Sequence, residues 1–356
     1  MRLLNLVTCA GTGLLIRNAA ALPIFGLGDK FSNYVKGAIE KGKKELGEIP
    51  GIDGTAVLEE IPGLDLGKKG VPLKDASLVN TFKLMSQYSA AAYCFKNHDN
   101  TIGDKVTCPA GNCPLVEAAD TKSLAEFQDF PGTDVTGFVA VDKSNKMVVV
   151  SFRGSLSPAN FATDLNFAPT ATDLCAGCTA HSGFWQSWVD ARPGVMAAVR
   201  NVSATYPNFK LVTTGHSLGG AIATLAAAQL RNEGKSVAMY SFGAPRVAPE
   251  RLSQFISNQP GGNFRITFGQ DLVPRLPPSL FKYVHISPEY FIEKNRRTSK
   301  GDVQPSDVSM LEGSTNFWGN RKFVVPILLP HVEYFGDICG CVTDQILDLK
   351  IDVEFA

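Results

Sequence analysis

Residues 211–231 read LVTTGHSLGGAIATLAAAQLR, and this stretch decides the fold. Leu211 to Thr214 has the composition of a short strand, and Leu218 to Arg231 is an alanine-rich helical run. Between them Gly215-His216-Ser217-Leu218-Gly219 fits the pattern G-x-S-x-G in the strand-then-helix context that gives the pattern its meaning. Glycines on both sides let the backbone make a strained turn that lifts a serine oxygen clear of a sheet, and Gly220 extends that freedom of packing. Ser217 is therefore the candidate nucleophile. The N–H of Leu218, at the start of the helix, can donate to an oxyanion.

Working outward, Val237 to Phe242 reads as a further strand ending at Gly243-Ala244-Pro245. Upstream, Val135 to Val141 and Met147 to Phe152 form a hairpin pattern around the polar turn 142–146. The continuously apolar Met147-Val148-Val149-Val150 suits a strand covered on both faces. Ser182 to Thr205 is helical in pattern, with Pro193 as a possible interruption, and Leu78 to Cys94 is an amphipathic helix with Asp75 as its N-cap. Strands alternating with helices predict an α/β fold with a mostly parallel sheet.

A serine hydroxyl is a weak nucleophile and needs a histidine base oriented by a carboxylate. After a nucleophile of this type the partners follow in the order carboxylate, then histidine. Only His285 and His331 lie beyond Ser217, so His98, His181 and His216 read as surface or structural residues. His331 sits at a loop-to-helix junction in Leu328-Leu329-Pro330-His331-Val332-Glu333-Tyr334, where a connection can present imidazole over a sheet. His285 falls in the alternating run Phe281 to Ile286, a strand position. His331 is the preferred base. Phe264 to Phe268 reads as a strand, and Asp271 stands in the turn at its carboxyl end, where catalytic groups of such sheets gather. The plainer reading of Asp271 is a turn-capping aspartate.

The chain has 356 residues, enough to bury a sizeable core, and its 34 basic and 34 acidic residues balance. Such a balance offers no bulk field for nucleic acid or an anionic membrane. Residues 1–21 read as an export signal: Arg2, an apolar run from Leu3 to Ile16, and Ala19-Ala20-Ala21 before the cut, a buried N-terminal helix being the alternative. No later stretch is long and apolar enough to span a membrane, so a secreted protein without transmembrane anchoring is expected. Residues 22–71 are rich in glycine and lysine and read as a pro-segment or flexible arm, removable at Lys68-Lys69 or retained. Export fits local disulfides between Cys108 and Cys113 and between Cys175 and Cys178. A zinc or redox reading of the second pair lacks further ligands at the right spacing. One of Cys94, Cys339 and Cys341 is left over. Asn201-Val202-Ser203 is a glycosylation sequon, used or unused.

Beyond the elbow, Phe152-Arg153-Gly154-Ser155, Gly243-Ala244-Pro245-Arg246-Val247, Asp271-Leu272-Val273-Pro274-Arg275-Leu276-Pro277-Pro278 and Ser287-Pro288-Glu289-Tyr290 stand in one order. Together these motifs resemble the filamentous-fungal class 3 lipases from about residue 72 to 341. The resemblance implies a single α/β-hydrolase domain over 72–341 with a C-terminal extension over 342–356. It implies catalytic roles for Ser217, Asp271 and His331, and an oxyanion hole from Ser155 and Leu218. It places Tyr93 beside that hole as a substrate-binding residue and pairs Cys94 with Cys341, leaving Cys339 as the odd thiol. The sequence departs from the family pattern at Gln270, where an asparagine is usual, and at Phe161, where a tryptophan is common.

Ser157 suits an N-cap and Pro158 a first helical residue, with Leu156, Phe161, Ala162 and Leu165 apolar. A short helix there could close the site in water and turn its apolar face, with Phe161 as a substrate-binding residue, toward lipid. A fixed surface helix is the plainer alternative. The expected activity is hydrolysis of triacylglycerol esters at a lipid–water interface, without metal or organic cofactor. Mono- and diacylglycerol hydrolysis and feruloyl-type esterase activity are the enzymatic alternatives, and a non-catalytic lipid-binding protein is the other class.

Overall fold

In the computed structural model the structure describes residues 66–98, 101–128, 130, 132–156, 167–323 and 325–342. The expected export signal, the arm up to residue 65, the lid helix with Phe161, and the tail beyond Val342 lie outside them.

The chain order is β1 (Val71–Pro72), α1 (Ala76–Ala91), α2 (Pro114–Ala118), β2 (Thr121–Phe127), β3 (Gly137–Asp142), β4 (Met147–Phe152), β5 (Pro169–Ala171) and β6 (Thr179–His181). It continues through α3 (Ser182–Thr205), β7 (Lys210–His216), α4 (Leu218–Asn232), β8 (Val237–Phe242), β9 (Ala248–Pro249), α5 (Glu250–Asn258), β10 (Asn263–Phe268), β11 (Tyr283–Val284), β12 (Glu289–Ile292) and β13 (Val308–Leu311). Nine strands form the main sheet in the order β1-β13-β12-β10-β8-β7-β4-β3-β2. Its centre, β4-β7-β8-β10-β12, is parallel, and both margins are antiparallel. This is the α/β-hydrolase architecture, with the parallel strands laid side by side by the crossover helices α3, α4 and α5.

Burial explains the layering. Every residue of β4 is buried, and its side chains alternate between two cores: Val148, Val150 and Phe152 face α3 and α4, while Met147 and Val149 face α1. Each such fully buried side chain contributes about 1.5–3 kcal/mol relative to exposure. On α1 the Asp75 carboxylate caps the first turn by accepting from the Ser77 N–H at 2.8 Å. Its Phe82 then packs among Tyr240, Phe264 and Tyr290 with ring centroids 5.1–6.3 Å apart. Pro193 does not interrupt α3, which runs unbroken for 24 residues. It lies on the exposed side, where the carbonyl it cannot serve can be hydrated.

Cys94 is joined to Cys341, Cys108 to Cys113 and Cys175 to Cys178, and Cys339 is a buried free cysteine. The first bond closes a span of 247 residues, a constraint on the unfolded chain of order 5 kcal/mol if loop entropy alone is counted. Among the described residues no helix is long and apolar enough to cross a membrane.

The last residues of the expected arm are part of the body. Leu66 is buried and its carbonyl accepts from the Phe317 N–H at 3.0 Å; the Gly67 and Lys68 carbonyls accept from Trp318 and Asn316. The Lys69 ammonium lies 4.3 Å from the Trp318 ring centre, and β1 pairs antiparallel with β13. A processing protease needs several residues of free, extended backbone, which this strap does not offer once docked. N-terminal sequencing of the secreted protein is therefore expected to find its first residue upstream of Leu66; a mature chain beginning at Gly70 would refute this.

Candidate active site

Ser217 stands between β7 and α4 with φ 57° and ψ −129°, a conformation that costs a non-glycine residue of order 1–3 kcal/mol. The surroundings hold it there. Its N–H donates to the Phe242 carbonyl at 2.8 Å, and the first turn of α4 leaves no room for a side chain on the strand before it: a Cβ on Gly215 would lie 2.3 Å from the Gly219 carbonyl carbon. Leu218 is the first residue of α4, where a helix has no acceptor of its own for the N–H. The end of β4 closes against the same elbow. A Cβ on Gly154 would fall 2.1 Å from the Tyr93 hydroxyl and 3.1 Å from the Ser217 Cβ, so only glycine lets the half-buried Ser155 come this close.

Asp271 follows β10 in a turn that is tied from two sides. Asn320 Nδ2 donates to the Gly269 and Asp271 carbonyls at 3.1 and 2.9 Å, and Leu272 and Ile327 bridge the turn to the later chain. The carboxylate accepts from the Val273 N–H at 2.9 Å through Oδ1, and from the Tyr334 hydroxyl at 2.7 Å and His331 Nδ1 at 2.9 Å through Oδ2. Because the partner is an acceptor, Nδ1 carries the proton of the neutral ring, and Nε2 presents its lone pair. Burial, and the Asp271 charge next, push the Tyr334 phenol well above its ordinary range, so it stays a donor.

Ser217, Asp271 and His331 are all fully buried. Ser217 Oγ and His331 Nε2 are each without a hydrogen-bond partner among the described residues; nucleophile and base are often slack in the absence of substrate. What fixes the His331 backbone is His216, whose Nε2 donates to the His331 carbonyl at 2.7 Å with the two rings 4.4 Å apart. Its Nδ1 then accepts from the Tyr93 hydroxyl at 2.8 Å. Burial, and then the neighbouring His331, push His216 well below the usual histidine range, which keeps this brace neutral.

The structure thus brings Asp271 to His331 and not to His285. His285 lies just past the two-residue β11, so the longer strand expected around it is absent, and its Nε2 donates to the Pro274 carbonyl at 2.7 Å. His98 bonds the Ala92 carbonyl and His181 stacks on Phe184; burial pushes each down to about 4. Tyr93 is fully buried behind Gly154 rather than lining open space. Cys94, Cys108 and Cys341 lie close enough to suggest a metal cluster, but all three sulfurs are committed to disulfides. Tyr334, His216 and Asn320 were not picked out as site residues from sequence. For Tyr334 the spacing of three from His331 across a helical turn is a usable signal; the other two have none.

A family model described as "Lipase (class 3)" matches residues 149–281, and one described as "Lipase 3 N-terminal region" matches 76–124. Secreted mono- and diacylglycerol lipase A of Penicillium cyclopium is 41% identical over 266 residues, covering 74% of this chain and 86% of that protein. Secreted mono- and diacylglycerol lipase 1 of Fusarium solani is 36% identical over 311 residues, covering 83% and 92%. The crystal structure of a mono- and diacylglycerol lipase from Aspergillus oryzae superposes with a TM-score of 0.71 at 42% identity, covering 75% of this chain and all of that one.

Proposed function

The chain belongs to the class 3 lipase family, and from that premise we propose that it is a secreted acylglycerol hydrolase working through Ser217, His331 and Asp271. The observation that carries the reading is the buried Asp271–His331 pair, which leaves the Nε2 lone pair free for a serine proton. His331 takes the Ser217 proton as the oxygen bonds to the ester carbonyl carbon. The N–H groups of Ser155 and Leu218 hold the oxyanion, and collapse of the adduct expels the alcohol, which receives the proton from His331. Water, deprotonated by His331, then releases the fatty acid from the acyl-enzyme.

Ser217 is buried, so an ester needs a path opened to it, and the run 157–165, which contains Phe161, is the proposed lid on the strength of its sequence. Triacylglycerols are the substrates expected from sequence alone. The likeness to mono- and diacylglycerol lipases moves the preference to mono- and diacylglycerols. Initial rates on emulsified mono-, di- and triacylglycerols of one acyl chain test this: partial glycerides are expected to turn over at least about tenfold faster, a selectivity within reach of pocket contacts alone. Faster triacylglycerol turnover would restore the first expectation, and turnover of soluble esters alone would favour the esterase reading.

A further inference from the structure

Asn201 is the only asparagine of the 356-residue chain followed two positions on by serine or threonine, and the residue between is valine, not proline. It stands near the end of α3, on the side turned away from the core. Phe184, Trp188, Val195, Val199 and Val202 carry the buried face of that helix. Successive positions of a helix are turned by roughly 100°, so Val202 faces the core while Asn201 is exposed and Ser203 is half-buried.

The outer face around Asn201 lacks the charged side chains that such a face ordinarily carries. Gly194, Ala197 and Ala204, which reach Asn201 by steps of three and four, are exposed, and Arg200 is the one charged residue between positions 193 and 205. A Cβ on Gly194 would meet nothing within 4 Å. The result is a low floor about 15 Å long that has room for a bulky polar group and leaves methyl groups in water without one. Its place in the fold also suits such a group. α3 ends at Thr205 and β7 starts at Lys210, so Asn201 lies at the pole where the parallel strands begin. Ser217 and Asp271 follow the other ends of β7 and β10, and a seven-residue strand such as β7 puts roughly 20 Å between the two poles.

We propose that Asn201 is an N-glycosylation site, its amide nitrogen bonded to the reducing-end N-acetylglucosamine of an oligosaccharide that lies over the face from Gly194 to Ala204. The donor is a lipid-diphosphate-linked oligosaccharide of the secretory pathway. Asn201 Nδ2 loses a proton and bonds to the sugar C1 as the C1–O bond breaks, and the lipid diphosphate leaves with that electron pair. Transfer takes place on the extended chain, before α3 closes; the exposure of Asn201 then lets the helix form with the sugar outside. At this pole the oligosaccharide stays clear of a lipid surface over Ser217. The proposal rests on export alone, and its readout is a covalent mass and not turnover, so it stands or falls apart from the lipase mechanism.

The test is mass mapping of the chain recovered from the medium of a eukaryotic host, before and after a peptide N-glycosidase acts in heavy-oxygen water. Residue 201 is expected to be recovered as aspartate with one heavy oxygen, and the intact mass to fall by that of the oligosaccharide. Ser203→Ala, which leaves Asn201 in place, is expected to abolish the modification, and Ser203→Thr to keep it. The kcat on emulsified acylglycerol is expected to be the same for both variants and the wild type. Unmodified Asn201 in the secreted wild type, or an oligosaccharide that survives Ser203→Ala, would overturn the site. A loss of kcat on removing the sugar alone would overturn its place at the far pole. Should the variants fail to reach the medium, the wild-type peptide decides.

Discussion

Ser217→Ala is expected to lower kcat on emulsified acylglycerol by about 10⁶-fold, the scale on which loss of a serine nucleophile removes a covalent pathway. The same change should leave the unfolding midpoint where it is or raise it slightly. The Ser217 hydroxyl is buried and bonds to no described residue, so the methyl group forfeits no hydrogen bond and spares a desolvated oxygen. The strained φ of 57° is kept by the Phe242 carbonyl and the flanking glycines, which the substitution does not touch. Paired kinetics and melting curves check both halves. Near-normal turnover in a folded variant would remove Ser217 from the mechanism, and a large loss of stability would mean that the hydroxyl has a structural partner.

Asp271→Asn is expected to cost about 10⁴-fold in kcat with the geometry almost intact, because it exchanges one tautomer for another. The Val273 N–H needs an acceptor at Oδ1, and that requirement orients the new amide. Its NH₂ then occupies the place of Oδ2, facing His331 Nδ1 and the Tyr334 hydroxyl. Nδ1 must accept instead of donate, the ring proton moves to Nε2, and the lone pair that should receive the serine proton is gone. Tyr334 still accepts from the Phe268 N–H but loses the acceptor for its own buried O–H, so a loss of roughly 1–3 kcal/mol in stability is also expected. An unchanged kcat in this variant would show that another group orients His331.

Much of this arrangement was legible because it is local. The elbow needs glycine, serine and glycine within five positions, the order of partners after Ser217 leaves two histidines, and Asp271 follows an evident strand. Asp75 and the β3–β4 hairpin were readable for the same reason: each is decided by neighbours in sequence. What escaped depends on distance along the chain. The His216 bond to His331 spans 115 positions and the Asn320 bond to the Asp271 carbonyl spans 49, and nothing near any of these residues announces the contact. The four-residue strands β12 and β13 are too short for periodicity to declare them, and they owe their place to pairing with β10 and β1. Residues 66–70 carry the composition of a loose arm, yet their carbonyls find donors on a segment some 250 positions later.

The bond between Cys94 and Cys341 makes most of the molecule a ring. Ser155, Ser217, Asp271 and His331 all lie on the closed path between the two sulfurs, and so do eight of the nine strands of the main sheet. A single scission at an exposed point on that path, such as the β3–β4 turn at residues 143–146, releases no fragment and separates no pair of these residues. It only moves the free ends. Until the disulfide is reduced, a nicked molecule is the same set of elements threaded in a different order, so covalent integrity and linear sequence become separable properties of this protein.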